Sequence, residues 1–237
     1  MTFAEKILEF NKKLSNKIIN LPDGFEIINP FIGEQKEKIK KIVDIFYRKY
    51  YDDNNLRYMI LGSSPARRGT AVTGIPFEDA ERLEIETGIR IENFSINKSS
   101  SNFIYDVITK CGGFQKFYNK FYMNFVCPFG IIKVSTNGKK TNCNYYESKN
   151  LENALYSFII DTLNDQINIG INRTKCYCIG SGENYDFLSR INAKYNFFNK
   201  IIPLKHPRFI MQYNSKNKGM FIEEYVNNFN EAINENL

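Results

Sequence analysis

Three polar motifs follow short apolar runs that have the length of buried strands. GSSPARRGTAVTGIPFED begins at Gly62 after the run 58–61, GSGEN follows the run 174–179, and HPRF begins at His206 after the run 200–204. Open α/β sheets bind their ligands at the carboxyl ends of the strands. We therefore expect the polar residues of these motifs to converge on one rim of a sheet.

The elements that would position these motifs alternate along the chain. Apolar residues at helical spacing predict two helices before the first motif, and further helices recur between the strands. The predicted helices cover 3–20, 34–51, 79–87, 102–111, 151–167, 183–193 and 218–235, and the predicted strands cover 58–61, 121–127, 174–179 and 200–204. The run 129–134 is predicted to extend the second strand, and 139–149 is predicted to be a polar loop.

This alternation predicts the fold class. Parallel strands that neighbour each other need a connecting helix, so the expected fold is α/β, a three-layer α/β/α sandwich with a central, mainly parallel four-stranded sheet. No repeat or linker divides the 237 residues. We therefore expect one domain over residues 1–237 with its core at about 56–215.

Composition excludes some classes of protein and leaves others open. A net charge of +6 with an isoelectric point near 8.9 suits a nucleic-acid partner, although many other proteins are equally basic. The five cysteines are odd in number and form no CxxC pair, so we expect reduced thiols and no metal site. No 18-residue apolar run or signal peptide is visible, which predicts a cytoplasmic protein with no membrane partner.

The first and last motifs carry a resemblance to a known family. GSSPARRGTAVTGIPFED together with HPRFIMQY resembles the two signature motifs of the uracil-DNA glycosylase superfamily, nearest to its single-strand-selective monofunctional type and the bacterial relatives of that type. The resemblance implies a monomer that hydrolyses the N-glycosidic bond of uracil or another deaminated base in single- or double-stranded DNA. It also implies that the reaction needs no metal or cofactor.

By this resemblance His206 and Phe77 lie at the flipped base. His206, the sole histidine of the chain, takes the place of the residue that hydrogen-bonds uracil O2 as negative charge builds there. Phe77 matches the aromatic ring on which the base stacks, and the backbone N–H groups from Ser63 onward can contact the base or a phosphate. The alternatives are a histidine and a phenylalanine that only pack in the protein.

Asn124 and Ser64 are two further candidate members of the site. Asn124 interrupts the apolar run FYMNFVC, and its amide can pair with N3–H and O4 of uracil. However, alignment of Cys127 and Pro128 with the Cys-Pro of the family puts Asn124 one position early, so an asparagine that caps neighbouring backbone fits as well. Ser64 stands where many relatives have an asparagine that holds the attacking water, and its shorter hydroxyl predicts orientation of that water with reduced activity.

Five further residues are candidates for contact with DNA. Arg67 and Arg68 in the first motif can bind phosphates, although adjacent arginines are more often simply solvated. Arg208, Phe209 and Ile210 follow His206 where the family inserts a wedge into the base stack. Any one of these three can be the wedge, and Phe209 or Ile210 can instead belong to the core.

Three functions remain open from the sequence. The first is a monofunctional glycosylase, because no lysine lies within either motif to form a Schiff base, although Lys205 adjoins His206. The second is a protein of the same fold that binds nucleic acid or a nucleobase with little catalysis, which the serine at position 64 would explain. The third, a nucleotide-phosphate loop, lacks both the Walker and the dinucleotide-binding signatures.

Overall fold

The computed structural model describes residues 1–67, 69–92 and 99–234. Within these ranges, no helix combines the length and the apolar character that a membrane crossing requires.

A parallel four-stranded sheet forms the centre of the protein. Its strands are β2 (Arg57–Gly62), β3 (Phe121–Phe125), β6 (Ile171–Ile179) and β7 (Lys200–Leu204), in the spatial order β3-β2-β6-β7. Every residue of β2 and β3 is buried, as expected for strands covered by helices on both faces. The predicted three-layer fold with a mainly parallel four-stranded sheet is confirmed.

A second, smaller sheet was not predicted. The strands β1 (Phe25–Ile28), β4 (Gly130–Val134) and β5 (Lys140–Cys143) pair antiparallel in the order β1-β4-β5. The predictions that 129–134 extends the second central strand and that 139–149 is a loop throughout are therefore wrong. Three of the four residues of β5 are exposed, and this polar character made the segment look like a loop.

Helices surround the central sheet. The lead helix is shorter than predicted, and the helices over 114–120 and 207–213 were missed because they are short and directly adjoin strands or motifs. The helices are α1 (Phe3–Ser15), α2 (Lys36–Tyr51), α3 (Thr70–Thr73), α4 (Ala80–Thr87), α5 (Ser99–Lys110), α6 (Phe114–Lys120), α7 (Lys149–Ile167), α8 (Glu183–Tyr195), α9 (Pro207–Tyr213) and α10 (Lys218–Asn234).

Neighbouring residues of β3 point to opposite faces of the sheet. The ring of Tyr122 contacts Phe3 of α1 and Tyr51 of α2, with centroid separations of 5.6 Å and 6.1 Å. The ring of Phe121 instead contacts Phe229 of α10, with a centroid separation of 4.8 Å. We call these two sides of the sheet the α1 face and the α10 face.

A fully buried arginine joins the start of β2 to the helices of the α1 face. The Arg57 guanidinium donates to both carboxylate oxygens of Asp53 at 2.8 Å, and its Nε donates to the carbonyl of Tyr118 at 2.7 Å. The guanidinium also lies over the rings of Phe3 and Tyr51, 4.5 Å and 4.7 Å from their centroids. The planar guanidinium therefore connects the start of β2 to α6 through a hydrogen bond and to the rings of α1 and α2 through stacking contacts.

The substitution Arg57→Lys should lower the free energy of unfolding by about 2–4 kcal/mol, because an ammonium keeps the charge but loses the paired hydrogen bonds and the ring contacts. Urea denaturation followed by circular dichroism measures this. Arg48→Lys, at a half-exposed arginine paired with Asp44, is the control and should change stability by less than about 0.5 kcal/mol. Equal effects of the two substitutions would contradict the anchoring role of Arg57.

Candidate active site

Two aromatic rings meet over the last residue of β2. A Cβ atom added to Gly62 would lie 2.8 Å from the Phe125 ring and 2.9 Å from Cζ of Phe77, which is too close for any side chain. The two rings themselves are stacked, with centroids 5.2 Å apart and planes 20° from parallel. Glycine is therefore needed at the point where the first motif leaves the sheet.

Phe77 has an unusual backbone conformation. Its φ of 62° lies in the left-handed region, which is costly for a residue with a bulky side chain. Its N–H donates to the Thr70 hydroxyl at 3.1 Å. The conformation therefore needs support from the surrounding chain, and part of that support comes from the next residue.

Glu78 is buried directly after Phe77. Its carboxylate accepts hydrogen bonds from the hydroxyls of Tyr118 at 2.6 Å and Tyr105 at 2.9 Å. Burial raises the pKa of Glu78 to about 7, although the Tyr118 hydrogen bond and the charge of Arg82 act in the opposite direction. These contacts attach the chain beside Phe77 to α5 and α6.

His206 ends the last central strand and begins α9. Its Nδ1 accepts a hydrogen bond from the backbone N–H of Arg208 at 3.0 Å, so the neutral imidazole carries its proton on Nε2. Burial lowers the pKa of His206 to about 4, and the charge of Arg208 lowers it further. At neutral pH the side chain is therefore an uncharged hydrogen-bond donor.

The residues that follow Phe77 and the helix that begins at His206 both contact α5. Tyr105 of α5 donates to Glu78 and also accepts from the N–H of Asp79 at 2.9 Å, while α9 packs along α5. One helix therefore connects the chain after Phe77 to the helix that follows the last central strand.

The two serines after Gly62 have different environments. Ser63 donates from its hydroxyl to Oδ1 of Asn144 at 2.9 Å, and this contact uses its side chain. Ser64 is also buried, and its hydroxyl lies beside the thiol of Cys127, a weak hydrogen-bonding partner, with no stronger partner among the described residues. Burial raises the pKa of that thiol to about 12, and its hydrogen bond with Ser64 acts in the opposite direction. Because a thiol is a weak partner, the Ser64 hydroxyl can exchange it for a water molecule or a substrate atom.

Asn124 lies on the other face from Phe77. Its Nδ2 donates to the Tyr122 hydroxyl at 2.7 Å and its Oδ1 accepts from the N–H of Phe125 at 2.9 Å. It lines a small cavity together with Asn11 and Leu14 of α1, its neighbour Phe125, and the first-motif residues Pro65, Thr70, Gly74 and Pro76. Phe125, one residue later, is the one that packs on Phe77. The two hydrogen bonds fit the structural alternative, and recognition of the base by this amide stays a prediction.

The predicted DNA contacts differ in exposure. Arg208 is exposed, Phe209 is 45% exposed, and Arg67 is partly exposed with its N–H donating to Asn142 at 2.8 Å. Ile210 is completely buried and belongs to the core, so it cannot enter a base stack as the protein is folded. Arg68 lies outside the described residues.

Two comparisons with known proteins found a match. The family model described as Uracil DNA glycosylase superfamily matches residues 48–230. The chain belongs to the uracil DNA glycosylase superfamily. A crystal structure of wild-type SMUG2 from Pedobacter heparinus is 45% identical in sequence and has a TM-score of 0.91, with 99% of this chain and 100% of that chain covered. No curated protein matches the chain.

Sequence reasoning missed two parts of this candidate site. The carboxyl-end loops are attached to the small sheet through Asn142 and Asn144, which lay in the segment predicted to be a polar loop. The burial of Glu78 could not be predicted from the sequence either, because a Glu-Asp pair before a helix is typical of an exposed helix start. Within the described ranges, no group of three or more His, Cys, Asp or Glu residues could hold a metal ion.

The single histidine permits a direct test of the tautomer. Nitrogen NMR of the imidazole should show a proton on Nε2 and none on Nδ1, with a titration midpoint near 4 rather than the ordinary 6.5. Because the folded state then binds this proton less tightly than the unfolded state, His206 should reduce stability as the pH falls from 6.5 towards 4. A midpoint at or above 6.5 would contradict a neutral imidazole in the folded protein at neutral pH.

The glycine under the two rings is tested by Gly62→Ala. The added methyl group should displace Phe77 or Phe125, lower the unfolding free energy by about 1–3 kcal/mol and slow base release by roughly 10-fold or more. Urea denaturation and an excision assay measure the two effects. Gly33→Ala, where an added Cβ has no atom within 4 Å, is the matched control and should change neither. Identical behaviour of the two variants would refute the close approach over Gly62.

Proposed function

We propose that this chain is a monofunctional DNA glycosylase that removes uracil or another deaminated base from DNA and leaves an abasic site. Membership of the uracil DNA glycosylase superfamily supports DNA as the substrate and base hydrolysis as the reaction class. The observation that carries the proposal is the state of His206, a neutral donor at the carboxyl end of the last strand.

The proposed chemistry uses His206 as an electrostatic stabiliser. Water attacks C1′ of the deoxyribose while the bond between C1′ and N1 of the base breaks, and the electron pair of that bond leaves with the base. Negative charge then builds on O2, where the Nε2–H of His206 donates a hydrogen bond. A neutral imidazole suits this role because it stabilises the anion without transferring its own proton.

Phe77 and Ser64 would complete the site. The flipped base stacks on the Phe77 ring, which Phe125 supports from behind and whose backbone is held by its neighbours. The Ser64 hydroxyl, whose neighbour is the weakly bonding Cys127 thiol, holds the attacking water, and the proton of that water passes to solvent or to the departing base. No carboxylate adjoins Ser64 in the sequence, so general-base assistance is weak and the rate can be about 10²- to 10⁴-fold lower than with it.

The charged groups near the site fit a monofunctional enzyme that binds phosphates. The run 62–79 contains no lysine, and the side chain of Lys205 is exposed to solvent at the end of β7. Arg67 and Arg208 are accessible to the DNA backbone. Affinity for DNA should therefore fall as salt rises, through the release of counterions.

An excision assay tests the proposal directly. Labelled oligonucleotides that hold one uracil, single-stranded or paired with G or A, are incubated with the protein and then cleaved at abasic sites with alkali. Wild type should release uracil, and His206→Ala should lower the single-turnover rate by about 100-fold or more because the donor to O2 is lost. Ser64→Ala should slow release, and Ser64→Asn should restore or increase it.

Two further outcomes decide between the open alternatives. If wild type binds abasic DNA tightly but releases neither uracil nor another deaminated base, the protein is a binding module and the catalytic proposal is wrong. Borohydride treatment during the reaction should trap no covalent adduct. A trapped adduct that Lys205→Gln abolishes would instead establish a lysine-dependent mechanism.

A further inference from the structure

The helix that begins at His206 exposes two aromatic rings on one side. Phe209 is 45% exposed and Tyr213 is 70% exposed, and the two are one helical turn apart. Their ring centroids are separated by 5.9 Å, with planes 47° apart. Ile210, between them in sequence, is fully buried and fixes the helix to the protein. The rings are therefore held outward on a rigid support.

The outer ring, that of Tyr213, makes little contact with the rest of the described protein. The Tyr213 hydroxyl makes no hydrogen bond to any described residue, and its only ring contact within the described ranges is Phe209. Large aromatic side chains in such adjacent, exposed positions are characteristic of surfaces that bind a partner. The pair continues directly from the predicted wedge position at Phe209.

The surroundings of the rings are basic. The segment 200–222 contains five lysines and arginines and no aspartate or glutamate. Lys205, Arg208 and Lys216 are exposed, and none of them forms an ion pair with a described carboxylate. An aromatic surface bordered by unpaired cations complements a strand of nucleic acid, since the rings can stack on bases while the cations meet phosphates.

We infer that Phe209 and Tyr213 form a two-ring platform on which bases flanking the flipped nucleotide stack. The inference rests on the proposed function, because it places the damaged base at His206. Tyr213 is about 6 Å along the helix from Phe209, which corresponds to roughly two steps of a stacked strand. Phe209 contacts the position next to the flipped nucleotide, and Tyr213 contacts a base farther along the strand.

The test combines protein variants with DNA that lacks single bases. A set of uracil oligonucleotides is prepared in which each of the three nucleotides on either side is replaced, one at a time, by an abasic spacer. Dissociation constants and single-turnover kcat/KM are measured for wild type, Tyr213→Leu, Tyr213→Trp and the control Met220→Leu. Met220 is 61% exposed on a different helix, so its substitution controls for placing a leucine at an exposed position of the protein.

On complete DNA, Tyr213→Leu should weaken binding and lower kcat/KM by about 5- to 50-fold, whereas Tyr213→Trp should preserve both. On the one oligonucleotide that lacks the stacked base, wild type and Tyr213→Leu should bind equally. A loss of the same size on every oligonucleotide, or a loss equal to that of Met220→Leu, would overturn the platform. Uracil release by wild type on complete DNA tests the proposed function separately. If no uracil is released, the binding measurements still test the platform.

Discussion

The stacking of Phe77 on Phe125 above Gly62 is the contact on which the candidate site depends. The parallel pairing of β2 with β3 sets Gly62 opposite Phe125, and the absence of a side chain at Gly62 lets both rings approach the strand end. Phe77 reaches this position only with a left-handed backbone. The buried hydrogen bonds of Glu78 then hold the following residues, so the loop between residues 62 and 77 is attached at both ends.

This arrangement places the chemistry on one side of the sheet. The α10 face carries Phe77, Phe125 and the helix that begins at His206. Asn124 points to the α1 face, where its amide hydrogen-bonds to Tyr122 and to the backbone of Phe125. Since successive residues of a strand point to opposite faces, a difference of one position in sequence moves a side chain to the other side of the sheet. The amide of Asn124 therefore lies one strand position from Phe125, which packs on Phe77, and it shares a cavity with the first-motif residues Thr70 and Pro76.

The central sheet could be predicted because each of its strands is an apolar run that ends at a turn or a polar motif. The small sheet could not, because its strands are short, partly polar and paired across long separations, such as Phe25 with Lys133. His206 was accessible to prediction as the sole histidine within a recognisable motif. The burial of Ile210 and Glu78 depends on how α9 and α5 pack, and local sequence carries little information about that packing.

The most direct test of this account is a crystal structure of the protein with DNA that contains a non-hydrolysable uracil nucleotide. We expect the flipped base to lie against the Phe77 ring on the α10 face, with O2 within hydrogen-bond distance of Nε2 of His206. A base that makes no contact with the Phe77 ring, or one with O2 directed away from His206, would contradict it.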